Sequence, residues 1–421
     1  MKRHTLPAMA MLVVAGLTLT ACSGSDPAPS DGDGQTVRIL LEDERDSEVV
    51  ESLLDQFAQD HPDITLDIEK LAYDSMRDKL VASFQSPDAT YDLIMVDNPW
   101  MYDFVEGGFV QPLDDYIADA ASDYDYDDFY EPLRSVNEID GATYGVPMYN
   151  YALGYIYRQD LLDEAGVEVP TSMDELVDTV AALTTNDVAG VAHSPQRGYK
   201  ILEEWSSWLL AAGGQMFDED GNPTIDTPQA REALEIYIQT LEQNSPENSV
   251  NWAQDETIRS LSTGGAASIV GYNWLLGSLN EEGSGEFAGQ FRLAPMPGDR
   301  GSLGTWSWAV PSNSASADAA WTFVEWVTSP EIDRQRVIAG GAPIRVSTVQ
   351  DPEVQEQGLG AEYYEAVDVI LNNAVPFADG ANSEQLVQEV GTQLNEAVIG
   401  SKTIEQALAD AQAVAEEIAG Q

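Results

Sequence analysis

Runs of apolar residues alternate between two spacings in the part of the chain that follows position 35. Residues 36–41 and 91–96 are apolar runs of strand length, and residues 64–71 alternate between apolar and polar positions. Between these runs, apolar residues recur at helical spacing over residues 49–57 and 76–84. The succession strand, helix, strand, helix, strand predicts a parallel sheet with helices on its faces, which is an α/β fold.

Polar residues follow two of these predicted strands. Glu42 and Asp43 come after the first strand, and Asp97, Asn98 and Trp100 come after the third. In an open parallel sheet, ligands bind beyond the carboxyl ends of the strands. We therefore predict that these residues face a binding site. The alternative for Asp97 is that it caps the helix that follows it.

The rest of the chain combines long helical patterns with few strands. Apolar residues recur at helical spacing over residues 171–184, 227–243, 319–331 and 404–418, whereas residues 266–274 are typical of a strand. A chain of this length exceeds what one compact core usually supports, so two domains are expected.

The N-terminal segment has the organisation of an exported, membrane-tethered protein. A basic start is followed by an apolar run over residues 8–20, which is shorter than the roughly 20 residues that span a bilayer. The run ends in Leu-Thr-Ala-Cys at Cys22, the only cysteine, and this resembles the bacterial lipoprotein signal. We predict a signal peptide over residues 1–21, lipid attachment at Cys22 and a flexible tether over residues 22–35. The alternative is an ordinary cleavage site beside a chance cysteine.

Charge and histidine content exclude several classes of function. The chain has 19 basic and 73 acidic residues and a net charge of −54, so it should not bind nucleic acid or lie broadly on an anionic membrane. The dispersed acids predict a solvated acidic surface, and the dense cluster at residues 123–131 lacks the spacing of an EF-hand calcium loop. With three histidines and one cysteine, we expect no transition-metal site, and we predict no cofactor.

Five stretches in order along the chain resemble the solute-binding receptors of ABC importers that take up sugars, oligosaccharides and polyols. The most specific contains Tyr-Gly-Val-Pro, followed by Asp-Leu, Ala-Gly and Glu-Leu, over residues 140–177. The stretches are residues 91–117, 140–177, 264–274, 304–331 and 342–354. The resemblance implies a non-catalytic, monomeric receptor on the outer face of the cell membrane, which delivers its solute to the permease subunits of an importer.

The resemblance also implies a two-lobe fold of the type II periplasmic-binding-protein kind. The chain would cross a hinge three times, near residues 148–153, 303–308 and 345–352, with the ligand between the lobes. The N-terminal lobe would comprise residues 36–148 and 309–345. The C-terminal lobe would comprise residues 149–308 and 346–421.

A sugar or polyol presents hydroxyl groups and patches of C–H, so its site needs flat aromatic surfaces and directional polar groups. The resemblance places such residues in the cleft. The aromatic ones are Trp100, Tyr149, Tyr151, Trp205, Trp274, Trp306 and Trp308. The polar ones are Glu42, Asp43, Asp97, Asn98, Asn150, Glu204 and Arg345. Arg345 could instead form a salt bridge between the lobes. The other tryptophans inside helical patterns, Trp208, Trp321 and Trp326, are predicted to be core residues.

Two other functions remain open at this point. A receptor of the same fold for a polyamine would also use acidic residues beside aromatic rings. Asp97 and Glu204 are acidic residues of this kind in the predicted site. A glycoside hydrolase would need two carboxyl groups facing one glycosidic bond. The sequence contains no hydrolase motif and no Gly-x-Ser-x-Gly elbow, so we predict a receptor and not an enzyme.

Overall fold

The computed structural model describes residues 35–420 except 88, 219 and 220. The predicted signal peptide and Cys22 lie outside this range, and the predicted tether enters it only at Gln35, which begins the first strand. Within the described part of the chain, no helix is both long and apolar enough to cross a membrane.

The described residues form short strands and longer helices. The strands are β1 (Gln35–Glu42), β2 (Ile64–Leu71), β3 (Leu93–Asp97), β4 (Glu138–Ile139), β5 (Ala142–Thr143), β6 (Val146–Asn150), β7 (Leu153–Arg158), β8 (Ser268–Tyr272), β9 (Phe291–Ala294), β10 (Ser302–Leu303), β11 (Thr305–Ala309) and β12 (Val375–Pro376). The helices are α1 (Arg45–Ser52), α2 (Leu54–Asp60), α3 (Tyr73–Phe84), α4 (Asn98–Glu106), α5 (Asp114–Asp119), α6 (Glu131–Ser135), α7 (Gln159–Ala165), α8 (Met173–Leu183), α9 (Tyr199–Ala211), α10 (Pro228–Asn244), α11 (Gln254–Ser262), α12 (Leu275–Asn280), α13 (Ala317–Val327), α14 (Pro330–Ile338), α15 (Val346–Val349), α16 (Pro352–Gln357), α17 (Ala361–Asn373), α18 (Ser383–Val398) and α19 (Ile404–Ala419).

The first sheet has five strands in the order β2, β1, β3, β11, β6. β1 pairs in parallel with β2 and β3, as the sequence predicts, and β11 runs antiparallel between β3 and β6. All five residues of β3 are buried, whereas β2, at the sheet edge, alternates between half-buried and exposed residues. This difference explains why one strand is a continuous apolar run and the other an alternating one.

The second sheet is smaller and antiparallel throughout. Its three strands lie in the order β8, β7, β9. The strands β7 and β8 are buried along their whole length, which accounts for their apolar sequences. Helices α9 and α10 pack against each other beside this sheet, and α18 packs on both α9 and α19. The predicted α/β fold is therefore confirmed.

Two strands at the predicted hinge crossings, β6 and β11, belong to the first sheet. β6 ends at Asn150 and β7 begins at Leu153, so the chain passes between the sheets within two residues. Trp306 of β11 pairs with Asp97 of β3 and with Tyr149 of β6. Residues 149–150 and 305–308 are therefore part of the first sheet, within the segment 149–308 that the prediction assigned to the C-terminal lobe.

Candidate ligand-binding cleft

A cavity of about 580 Å³ lies at the carboxyl ends of β1 and β3 and is lined by residues from both sheets and their helices. From the first sheet and the segments that follow its strands come Glu42, Glu44, Tyr73, Asp97, Tyr149 and Trp306. From β8, α9, α11 and the loops beside them come Gln196, Tyr199, Lys200, Gln254, Tyr272 and Trp274. This volume is typical of small-molecule sites.

Asp97 is the most deeply buried polar group of the cavity, with 1% of its surface exposed. The Tyr73 hydroxyl donates to its Oδ2 at 3.0 Å, and the Tyr151 hydroxyl donates to its Oδ1 at 2.5 Å. The Tyr151 hydroxyl also lies 3.0 Å from Asn98 Oδ1 and 3.1 Å from the Tyr199 hydroxyl. A carboxylate held by two tyrosines therefore forms the floor where the two sheets meet.

Tyr151 occupies the short crossing between β6 and β7. Its ring lies against Gly304, where an added Cβ would approach the ring carbons to 1.8 Å. The backbone N–H of Tyr151 also donates to the carbonyl of Gly304 at 2.9 Å. A residue other than glycine at position 304 would therefore displace the Tyr151 ring from the cavity.

Two pairs of stacked rings line the cavity, one beside each of the two sheets. Tyr149 and Trp306 stack with ring centroids 6.5 Å apart and an interplanar angle of 19°. Tyr272 and Trp274 stack at 5.4 Å and 30° on the side of the second sheet. Stacking holds the rings of each pair in place, so the cavity presents flat apolar surfaces to a ligand.

Lys200 is held in a network on the second wall. Its ammonium group donates to Glu203 Oε2 at 3.0 Å, to Gln254 Oε1 at 3.3 Å and to the Tyr272 hydroxyl at 2.7 Å. The Tyr272 hydroxyl in turn donates to Glu203 Oε1 at 2.8 Å. The network fixes the position of the Tyr272 ring and hence of the stacked pair.

Burial changes the ionisation of the cavity carboxyl groups. Burial raises the pKa of Glu42 to about 7, although the Lys200 ammonium opposes the shift. Burial and the nearby Asp46 carboxylate raise the pKa of Glu44 to about 8. Burial also raises the pKa of Asp97 well above its ordinary value, and the tyrosine hydroxyls that donate to it oppose this shift. The cavity therefore carries less negative charge near neutral pH than its number of carboxyl groups suggests.

The structure brings six of the predicted site residues to the cavity wall. These are Glu42, Asp97, Tyr149, Tyr151, Trp274 and Trp306. Asn98 and Trp100 lie directly behind the wall: Asn98 contacts the Tyr151 hydroxyl, and the Trp100 ring packs at 5.2 Å from Trp306. Asp43 is exposed and its carboxylate lies 3.3 Å from the Lys70 ammonium, outside the cavity lining.

Five further predicted residues do not line the cavity, and three of these are buried aromatic or acidic side chains of α9 and β11. Glu204 accepts hydrogen bonds from the Ser194 N–H and the Tyr237 hydroxyl, and it pairs with His193. Trp205 is fully buried beside it in α9, and Trp308 of β11 packs against Phe323. They lie away from the cavity because α9 contributes only its first turn to it, and because Trp308 pairs with Met95 inside the sheet, two residues along β11 from the strand-end position of Trp306.

The other two corrections concern polar residues at the hinge. Arg345 donates to the carbonyls of Thr328 and Asp125 and pairs with Asp128, so it contacts neither the cavity nor the opposite lobe. Asn150 accepts a hydrogen bond from Asn273 and donates to the carbonyl of Pro343. The Asn150 side chain therefore links three chain segments at the crossing and does not line the cavity.

The sequence interpretation missed most of the cavity lining. Tyr73 could have been found, because it lies at the carboxyl end of β2 as Glu42 lies at that of β1. The remaining members come from helix starts, loops, the last residue of β8 and α18, where no sequence signal marks a ligand contact. They are Glu44, Arg45, Asp74, Gln196, Arg197, Tyr199, Lys200, Gln254, Asp255, Tyr272 and Gln388.

Replacing Glu42 with glutamine is expected to stabilise the unliganded protein at pH 8 by about 1–2 kcal/mol and to change little at pH 4.5. Because the pKa of Glu42 in the folded state is about 7, above its ordinary value, the stability that the wild-type side chain contributes is lost as the pH rises through that value. Chemical denaturation at both pH values measures the difference. Glu48→Gln, at an exposed position of α1, is the control. An equal effect of Glu42→Gln at both pH values would contradict the prediction.

The fold and the cleft define a two-lobe binding protein whose ligand site lies between the lobes. The model of the bacterial extracellular solute-binding protein family matches residues 42–333, which is more than half of the chain. The protein belongs to the bacterial extracellular solute-binding protein family, as its sequence motifs predicted.

Curated relatives cover nearly the whole chain at low identity. A probable amino-acid ABC transporter periplasmic-binding protein of Sinorhizobium fredii is 27% identical, over 98% of this chain and 96% of the relative. The mannitol-binding protein of Pseudomonas aeruginosa is 25% identical, over 90% of this chain and 92% of the relative. Both relatives are named as binding proteins, in agreement with the description of the family.

Solved structures establish the fold. The ribitol complex of an ABC transporter solute-binding protein from Agrobacterium radiobacter superimposes with a TM-score of 0.81, covers 92% of this chain and 99% of the other, and is 23% identical. A maltose-bound T. maritima protein gives a TM-score of 0.80 over 91% of this chain and 100% of the other, at 22% identity. The chain therefore has the two-lobe type II periplasmic-binding-protein fold.

Proposed function

We propose that this protein is the extracytoplasmic receptor of an ABC importer, and that it binds a sugar, oligosaccharide or polyol in the cleft between its lobes. The observation that carries the proposal is the composition of the cavity wall. Two stacked ring pairs face a cavity whose floor is the Asp97 carboxyl group. Rings stack on the C–H faces of a carbohydrate, and carboxyl oxygens accept from its hydroxyl groups.

Comparison with relatives supports the same solute class. One relative is named a mannitol-binding protein, and the structural neighbours include complexes with ribitol and maltose. The cavity volume of about 580 Å³ lies within the range of small-molecule sites.

A polyamine is the second candidate, because Glu42, Glu44 and Asp97 adjoin the rings of Tyr149 and Trp306. Acidic groups beside aromatic faces also suit an ammonium group. The Lys200 ammonium on the opposite wall and the raised pKa values of the three carboxyl groups favour a neutral solute.

A thermal-shift screen followed by calorimetric titration tests the proposal. The screen contains D-mannitol, ribitol, maltose, glucose and spermidine, and each bound solute is recovered to show that it is unchanged. We expect tight binding of a sugar or polyol and no chemical conversion. Binding of spermidine alone, or hydrolysis of the glycosidic bond of maltose, would replace the proposal by one of the two alternatives.

We also propose that the mature protein is held at the outer face of the cell membrane through a lipid on Cys22. The proposal rests on the Leu-Thr-Ala-Cys sequence after a short apolar run. Two or more acyl chains give stable anchoring, because each buried methylene adds about 0.8 kcal/mol. Cys22→Ser should release the protein into the medium or leave it unprocessed. A processed variant that stays with the membrane fraction would refute this assignment.

A further inference from the structure

The tyrosine hydroxyl groups at the floor of the cleft donate their protons to other groups of the protein, so they offer no hydrogen-bond donor to a ligand. Tyr73, Tyr151 and Tyr199 each carry one hydroxyl proton, and they converge on Asp97. Within the described residues, the only recorded acceptor for the Tyr73 proton is Asp97 Oδ2, at 3.0 Å. That proton therefore points at the protein.

The other two protons are also used inside the protein. The Tyr151 proton goes to Asp97 Oδ1 at 2.5 Å or to Asn98 Oδ1 at 3.0 Å. Because Tyr151 donates to one of these atoms, Tyr199 must be the donor in the 3.1 Å contact between the two hydroxyl groups. The three tyrosines thus present only oxygen lone pairs to the cavity.

The same result holds whichever protonation state Asp97 adopts. An ionised Asp97 accepts from Tyr73 and Tyr151 and keeps free lone pairs. A protonated Asp97 holds its proton on Oδ1 in the 2.5 Å contact, because Tyr151 can then donate to Asn98 while Tyr73 has no second acceptor among the described residues. In both states the ligand meets acceptor oxygens.

The ammonium group of Lys200 also offers no free N–H group to a solute. All three N–H groups of Lys200 are used by Glu203, Gln254 and the Tyr272 hydroxyl, and the Tyr272 proton goes to Glu203. The free donors of the cavity belong to exposed or half-buried residues, except the indole N–H of Trp306, which is buried in the wall beside the floor. The exposed or half-buried residues are Arg45, Gln196, Arg197, Gln254, Trp274 and Gln388.

We propose that the floor around Asp97 is an acceptor-only subsite, so that the group of the solute that reaches it must donate hydrogen bonds. This inference rests on the proposed function and narrows its solute class. A hydroxymethyl or hydroxyl group satisfies the floor, and a carboxylate or an ether does not. The solute is therefore a polyol or a neutral sugar with a free hydroxyl end, and a sugar acid oxidised at both ends is rejected.

Calorimetric titration of the wild-type protein with a matched solute series tests the subsite. The series is D-mannitol, D-mannonate, D-mannarate and 1,6-dideoxy-D-mannitol, with ribitol and ribarate as the five-carbon pair. D-Mannarate has a carboxylate at both ends, and the dideoxy compound is neutral and smaller than mannitol but lacks both terminal donors. We expect both to bind at least about 100-fold more weakly than mannitol, since a site built for a donor rejects an analogue that lacks it. D-Mannonate, with one hydroxymethyl end, should lie between.

Each outcome separates this inference from the proposed function. Equal affinity for the alditol and its aldarate would overturn the subsite and leave a carbohydrate receptor in place. Binding of spermidine without any sugar or polyol would overturn the proposed function and support the donor requirement, because ammonium groups donate. Failure to bind any hydroxylated or amine solute would overturn both.

An Asp97→Asn variant gives an independent readout. Its amide places an N–H donor in the floor, so the affinity ratio of D-mannitol to D-mannarate should fall at least about 10-fold, a change that a loss of stability alone would not produce. Asp78→Asn, at an exposed position of α3 outside the cavity, removes the same charge and should leave the ratio unchanged. Tyr73→Phe frees a lone pair of Asp97 and should keep the preference for mannitol. An unchanged ratio in Asp97→Asn would refute the subsite.

Discussion

Replacing Arg336 with alanine is expected to lower the free energy of unfolding by about 3–5 kcal/mol, because it leaves buried carboxylates without their partner. The Arg336 side chain is 1% exposed and pairs with Asp46 at 3.1 Å and Asp333 at 2.8 Å. It also donates to the carbonyls of Met148 and Ala342, at 2.8 and 3.4 Å. These partners come from α1, α14, β6 and the segment before the third hinge crossing.

A matched control lies on the same helix. Arg334 has a 37% exposed side chain and lies 3.7 Å from Asp351, so Arg334→Ala should cost less than about 1 kcal/mol. Chemical denaturation followed by tryptophan fluorescence at neutral pH measures both variants. If the two variants were equally destabilised, the buried ion pairs could not be the reason for the loss.

Replacing Trp274 with alanine is expected to weaken solute binding by about 1–3 kcal/mol, the scale of one buried aromatic contact. Trp274 is half-buried, lines the cavity and stacks on Tyr272 at 5.4 Å. Because the ring lies at the cavity wall, the fold should remain intact. A core position would give the reverse result, a stability loss of about 3–5 kcal/mol with near-normal affinity.

Trp326→Ala is the control for the Trp274 experiment. Trp326 is also half-buried, but it stacks on Phe323 and donates to Asp60, outside the cavity. Calorimetric titration should therefore give a wild-type affinity for Trp326→Ala.

Small-angle scattering with and without solute tests whether the two lobes close on binding, since a ligand shifts the equilibrium between open and closed states only by its preference for the closed state. Normal affinity of Trp274→Ala would exclude this ring from the site.

The first sheet and one part of the site could be predicted from local sequence alone. Strand-length apolar runs and helical spacing depend on residues close in the chain, so β1, β2 and β3 and their parallel order followed from the pattern. The rule that ligands bind at the carboxyl ends of such strands then led to Glu42 and Asp97, which line the cavity. The burial of Trp208 and Trp321 also confirmed their assignment to the core.

The second wall could not be predicted in this way, because its members depend on how a helix is rotated and where a loop ends. Tyr199 and Lys200, in the first turn of α9, line the cavity, whereas Glu204 and Trp205 lie one turn later in the core. The sequence interpretation assigned Glu204 and Trp205 to the site and gave no signal for Tyr199 and Lys200. Only the packing of α9 against α10 and α18 decides which of them face the solute.

The sequence by itself determined the α/β class, the family and the strand ends that form the first wall, because these follow from short-range patterns and ordered motifs. The tertiary structure decided the pairing of β11 with β3 and β6, which places Trp306 beside Asp97 at the strand end and Trp308 further inside the sheet, against Phe323. It also decided the convergence of Tyr73, Tyr151 and Tyr199 on one carboxyl group. These residues are far apart in the chain, and the direction of each hydroxyl proton is set by neighbours that only the folded protein brings together.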